Sequence, residues 1–285
     1  MPSLKEVKGR INSVTNTQKI TAAMKMVASA KLHKAQQAIQ NLLPYRQQLE
    51  QLLGELLSSQ NGVQSVFTQV RRPQRVAIVT FASNQSLCGS FNANALKHTL
   101  TVIDEFKQAE QIHIYAIGKR LADALAKQGF ACEGDFAHLS AKPTFHEVSA
   151  LASTLMEQFE NAQIDRVELV YYHFKNTAVQ VPTRTTLLPV DLSGNDATTT
   201  ATDYILEPSA SELLTQLLPK VVRMNLFATL LDTVAAEHAA RTMAMQIASD
   251  NADELLQELQ LIYNKSRQQA ITSALLDMVG GQLNE

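Results

Sequence analysis

Residues 209–285 contain a single proline, Pro219, and no glycine before Gly280. Within this stretch apolar residues fall at Met224, Phe227, Leu231, Val234, Met245, Ala248, Ala252, Leu255, Leu259 and Ile262, in steps of three and four. His238 and Arg241 fill the two remaining slots. A 3-4 spacing held for about five heptads marks a long helix that packs along a seam against another helix. Sixty-odd residues at about 1.5 Å each make a rod of roughly 90–100 Å, too long for the interior of one globular domain. The helix must pair within the chain, project into a partner, or fold onto a bundle.

The amino terminus offers the second helix. Leu4, Val7, Ile11, Val14, Gln18, Thr21, Lys25, Ala28, Leu32, Ala35, Ile39, Leu42, Arg46, Leu49, Leu53 and Leu56 keep one 3-4 register, twelve of the sixteen slots being apolar. Ser3 with Glu6 has the spacing of a capping box, and Asn61-Gly62 suits a stop. Pro44 is expected to kink or end the first section. Gln18, Thr21 and Lys25 form a polar gap in the seam. Unpaired polar groups in an apolar seam are costly, about 1–3 kcal/mol each. The expected antiparallel pairing therefore sets that gap against Arg241 and His238, with Leu4 near residue 258. Residues 209–285 then carry an unpartnered tip, where the seam slots become Ser266, Gln269 and Ser273.

Between the two helices, 1–60 and 209–285, residues 61–208 have a different texture. Arg75–Phe81 and Gln111–Ile117 read as buried strands, each followed by a helix, at 92–107 and 119–128. A third helix spans 145–160. Strands follow at 165–174 and 178–188, where Pro182 indicates an edge or a bulge. Strand–helix alternation predicts a mostly parallel sheet. Residues 191–202 read as a polar loop and 204–206 as a short strand. The fold class is therefore an α/β domain inserted between the two halves of a long antiparallel α-helical coiled coil.

The net charge of −2 conceals an asymmetry. Residues 1–46 carry eight Lys or Arg against Glu6 alone, whereas residues 209–285 carry five basic and nine acidic residues. A basic segment of this length suits nucleic acid, anionic lipid or acidic protein. No aromatic residue precedes Tyr45, so base-stacking platforms are missing and acidic protein fits better. Two cysteines make no disulfide framework. No apolar run reaches the length of a membrane span, and no signal-peptide core is visible.

Candidates for chemistry are few. Gly118-Lys119 lacks the rest of a P-loop. Cys88-Gly89-Ser90 follows a strand as a nucleophile would, but no histidine stands at a matching spacing, so a structural thiol is the better reading. Gly89 could open a phosphate-binding turn, a weak signal by itself. The histidines show no metal-ligand spacing, and His238 reads as a hydrogen-bonded seam residue. No catalytic residue, cofactor or metal is expected.

Three blocks in order, residues 8–32 (KGRINSVTNTQKITAAMKMVASAKL), 86–92 (SLCGSFN) and 237–281 (EHAARTMAMQIASDNADELLQELQLIYNKSRQQAITSALLDMVGG), resemble the gamma-subunit family of F-type ATP synthases over nearly the whole chain. The resemblance implies a Rossmann-like α/β domain between coiled terminal helices. It also implies the role of central rotor stalk in a proton-translocating complex. The partners would be a ring of three alpha and three beta subunits, the epsilon subunit and the membrane c ring, with membrane association only through the complex. Met24, Arg241 and Gln268 fall where the family couples shaft rotation to the beta subunits. Lys265, Arg267 and Thr272 are added because polar residues on an unpaired tip must find partners elsewhere. The usual Asp-Arg/Lys-Gly of the family is here Asn84-Gln85-Ser86, and no cysteine pair supplies a redox switch. A start at Met1 without presequence fits the bacterial branch, at the cytoplasmic face of the inner membrane. Two rivals remain open: a nucleotide-binding α/β enzyme with helical dimerisation arms, and a scaffold whose helices pair between chains.

Overall fold

The computed structural model describes residues 3–59, 65–190, 207 and 209–282. The polar loop expected at 191–202, the short strand at 204–206 and the Asn61-Gly62 stop lie outside the described residues. In chain order the elements are α1 (Leu4–Ser59), a 3₁₀ turn (Val66–Thr68), β1 (Arg75–Phe81), α2 (Phe91–Glu105), β2 (Gln111–Ile117), α3 (Lys119–Lys127), α4 (Ala137–Ala141), α5 (Phe145–Glu160), β3 (Arg166–Phe174), β4 (Gln180–Leu188) and α6 (Ala210–Gln282).

Two compact units emerge, and the boundary between them falls inside both long helices. One comprises residues 1–28 with 241–285, the other residues 29–240. The limits expected near 61 and 209 are thus the ends of helices rather than of packing units. The inner halves of α1 and α6 belong with the sheet.

In the unit 29–240 the strands are ordered β2-β1-β3-β4. β1 pairs parallel with β2 and β3, and β4 runs antiparallel to β3. Strand β1 (RVAIVTF) is buried at every residue after Arg75, which explains why its sequence is a continuous apolar run rather than an alternation. Alternate side chains still divide between two cores. Ala77, Val79 and Phe81 join α5 and the inner stretches of α1 and α6, including Leu53 and Leu218. Val76 and Ile78 join α2 and α3 through Ala95, Val102 and Leu121. On that second face Thr80 and Thr99 bond through their hydroxyls at 2.6 Å. Pro182 sits on β4, the edge strand, where a missing N–H breaks no ladder.

Neither proline breaks its helix. Pro44 lies inside α1 and Pro219 inside α6, so of the two outcomes expected at Pro44, a kink or an end, the helix does not end there. Each helix sets burial in the core (Leu49, Leu53 and Leu56; Leu214 and Leu218) against roughly 3 kcal/mol for an interior proline. The start of α1 is half of the expected box: Ser3 Oγ accepts from Glu6 N–H at 3.2 Å, and the Glu6 carboxylate instead takes Arg10.

Candidate functional site

In the unit of residues 1–28 and 241–285, the heptad shows directly in burial. Val7, Thr21 and Ala28 are buried on α1, and Met245, Ala252 and Leu259 on α6, each set in register by sevens. Two polar contacts fix the alignment. Gln18 Nε2 donates to Asp253 Oδ1, and the Thr21 and Ser249 hydroxyls meet at 2.8 Å. Residue numbers rise along one helix as they fall along the other, so the pairing is antiparallel.

This register corrects the sequence-based one by about two turns of helix. Thr21 meets Ser249 instead of Arg241, and the same alignment carries Leu4 to Ser266, both half-buried. The expected pairing set the polar gap against the polar slots of the α6 seam, His238 and Arg241. Short hydroxyls served instead, because Thr21 and Ser249 each also reach a carbonyl of their own helix, Gln18 O and Met245 O, both at 2.9 Å. Ser249 and Asp253 each lie one position beyond a slot of the sequence-based seam, Ala248 and Ala252. The α6 seam also shifts: Leu255 and Ile262 are more than 40% exposed, while Leu256 and Tyr263 are half-buried.

The sequence-predicted contact residues divide accordingly. Met24 and Lys25 are half-buried; the register sets Met24 level with Gln246, more than a turn from Arg241. Arg241 is 7% exposed, so its guanidinium is engaged within the chain. His238 belongs to the other unit. Lys265, Arg267, Gln268 and Thr272 are all exposed, and Thr272 Oγ1 back-bonds to Gln268 O. Past Ser266 every described residue up to Leu276 is exposed. Large apolar side chains share that exposure: Leu261, Leu276 and Met278 are each at least 66% exposed, and on α1 Ile20, Met26 and Val27 at least 57%.

In the other unit the loop after β1, where an α/β enzyme would hold its ligand, is filled by its own side chains. Cys88 is 1% exposed, and its thiol is ringed by Ser83 Oγ, Gln85 O and Asn92 Nδ2. Asn84 Nδ2 donates to Ala137 O at 2.7 Å and its Oδ1 accepts from Lys119 N at 2.9 Å. An aspartate could only accept there, so the amide of Asn84 is what ties α4 to the β1 loop. Gly118 approaches the same loop: at φ +128° a Cβ would stand 2.3 Å from Ala82 O. Among the described residues no group of three or more His, Cys, Asp or Glu is placed to hold a metal.

The strongest electrostatics are structural. Glu168, 1% exposed on β3, accepts from Arg184 Nε at 2.8 Å, from Thr186 Oγ1 at 3.0 Å and from Arg166. Burial pushes its carboxyl up, but hydrogen bonds from Arg184 and Arg166 outweigh it and hold the carboxyl below its ordinary range. Asp165 behaves alike, burial being outweighed by Arg75, which binds both carboxylate oxygens at 2.8–3.2 Å. Both carboxylates are buried, 1% and 3% exposed, and committed to arginine partners.

Residues 3–283 match the family model described as ATP synthase. The ATP synthase gamma chain of Phocaeicola vulgatus is 56% identical over 288 residues, covering 99% of this chain and all of that one. That of Flavobacterium johnsoniae is 40% identical, covering 99% of this chain and 98% of its own length. A chain of Euglena gracilis mitochondrial ATP synthase superposes with a TM-score of 0.66 at 19% identity, covering 98% of this chain and 93% of that one. A chain from the central stalk/c-ring of Tetrahymena thermophila mitochondrial ATP synthase gives 0.57 at 21% identity, covering 81% and 99%. The solved structures speak for the fold, and the full-length relatives for descent: the chain belongs to the ATP synthase gamma chain family.

Proposed function

We propose that this chain is the central rotor stalk of a proton-translocating F-type ATP synthase. It couples rotation of the membrane c ring to the nucleotide sites of three beta subunits, and catalyses nothing itself. The observation that carries this reading is the surface of the coil and its tip. Ile20, Met26 and Val27 on α1, with Ile271, Leu275, Leu276 and Met278 on α6, are all more than half exposed. A free-standing protein rarely shows so much apolar side chain in one unit, whereas a partner-covered one does. Lys5, Lys8, Arg10 and Lys19 are exposed beside them, which suits acidic segments of the surrounding ring.

The coil's antiparallel pairing supports the mechanics. Two helices locked by Val7, Ala28, Met245, Ala252 and Leu259 resist twisting together, so torque applied at one end reaches the other. The contact set for the ring comprises Met24, Gln268, Lys265, Arg267 and Thr272. Arg241, buried, acts by holding its own helix in place. No helix among the described residues is long and apolar enough to cross a membrane. The chain works at the cytoplasmic face of a bacterial inner membrane, held there by alpha, beta, epsilon and c-ring partners.

The test is affinity purification of the tagged chain from native membranes. Alpha, beta and epsilon subunits co-purify in fixed proportion with it; a chain recovered alone or as a homodimer overturns the proposal.

A further inference from the structure

Three helices of the unit 29–240 enclose a cleft of about 610 Å³ that the stalk role does not use. Helix α5 contributes Phe145, His146, Ser149 and Ser153, helix α6 contributes Lys220 and Arg223, and Tyr45 closes one side from α1. The spacing explains the convergence. Ser149 and Ser153 stand one turn apart on one face of α5, as Lys220 and Arg223 do on α6. No carboxylate is among the lining residues, so two cations face the cleft without an acid there to neutralise them.

The hydrogen bonding inside it is incomplete in a specific way. Ser153 Oγ donates to Ser149 O at 2.8 Å and accepts from Arg223 Nη2 at 3.2 Å. Ser153 has then spent its one proton and serves to orient the guanidinium. The Arg223 Nε and Ser149 Oγ atoms are both buried, and neither has a partner among the described residues. Buried donors are nearly always satisfied, so two orphaned donors beside one cleft point to an acceptor supplied from outside. That acceptor must be anionic and take several donors at once, Lys220 included. A phosphate group does both, and the guanidinium fork matches its oxygens. Phe145 and Tyr45, each more than 40% exposed at the rim, leave an apolar surface for an organic group attached to it.

We propose that this cleft is a binding site for a phosphate group, carried either by a small soluble molecule or by a lipid headgroup. The test uses the full chain and two probes, titration calorimetry with inorganic phosphate at matched ionic strength and flotation with phosphatidylglycerol vesicles against phosphatidylcholine vesicles. Lys220→Gln and Arg223→Gln are compared with the parent. Lys220 is exposed and its replacement leaves the fold intact, which far-UV circular dichroism checks. Saturable phosphate binding, weakened about tenfold or more by either substitution, supports a soluble ligand. Binding only to the phosphatidylglycerol vesicles, with the same sensitivity, supports the headgroup. Binding that neither substitution changes, or none to either probe, overturns the proposal, including the case in which the cleft receives only a protein carboxylate.

Discussion

Replacing Thr21 and Ser249 by cysteine tests the coil register most sharply. Their hydroxyls stand 2.8 Å apart across a sequence separation of 228, so two thiols there reach bonding distance with little backbone movement. The stabilisation depends on how the chain opens. If the whole protein unfolds at once, the cross-link closes a loop of 228 residues, and chain entropy gives about 5 kcal/mol. If the coil opens while residues 29–240 stay folded, only the segments joining it to that unit are free. These come to about fifteen residues, and the gain falls to about 3 kcal/mol. The assay is urea unfolding of the oxidised and reduced protein followed by helical ellipticity, with non-reducing electrophoresis confirming an intrachain bond. Cys88 is buried and does not interfere; Cys132, half-buried, is first changed to serine. The control pair is Thr21→Cys with Arg241→Cys, the partner that matching polar seam slots selects. Faster oxidation of the control, or cross-links only between chains, would refute the register and the coil with it.

Other consequences follow from the same geometry. Met24→Lys adds a cation to a stretch already holding Lys19 and Lys25. The complex should assemble and hydrolyse ATP, with proton pumping into inverted vesicles sharply reduced. Glu168→Gln leaves Arg166 without a carboxylate and Arg184 with Glu105 alone; since the two arginines are 35% and 26% exposed, the expected loss is about 2–4 kcal/mol, below that of a fully buried pair. Because the Glu168 and Asp165 carboxyls are held below their ordinary range, their contribution is full above about pH 4 and disappears as the pH falls through the folded-state values. Acid unfolding should therefore show a steep limb below about pH 4 that is shallower in Glu168→Gln. Gly118→Ala forces a Cβ against Ala82 O at a positive φ and should cost about 3 kcal/mol or more in thermal unfolding.

The elements of the sheet were legible because β1 and β3 are short apolar runs flanked by helices of clear period. Both long helices were legible for the same reason, being uninterrupted 3-4 patterns. Their packing was less so. A seam pattern shows that α1 and α6 each have an apolar stripe, but it does not distinguish a stripe facing a helix from one facing a sheet. Leu32, Leu49 and Leu53 lie in the core beneath the sheet, yet they continue the spacing of Val7 and Ala28 without a break. The register was misplaced because the apolar stripe read on α6 ran through Ala248, whereas the polar partner of Thr21 is Ser249, one position off that stripe. At Pro44 tertiary burial on either side carries the helix through, overriding local preference. Asn84 was visible only as a departure from the family pattern, and its double bond to α4 and Lys119 N–H needed the fold.

Rotation itself tests the central claim. A bead fixed to the chain in a complex whose alpha and beta subunits are anchored to glass should turn in one direction on addition of ATP, pausing three times per revolution. Continued ATP hydrolysis by the anchored complex with the bead stationary would contradict the account.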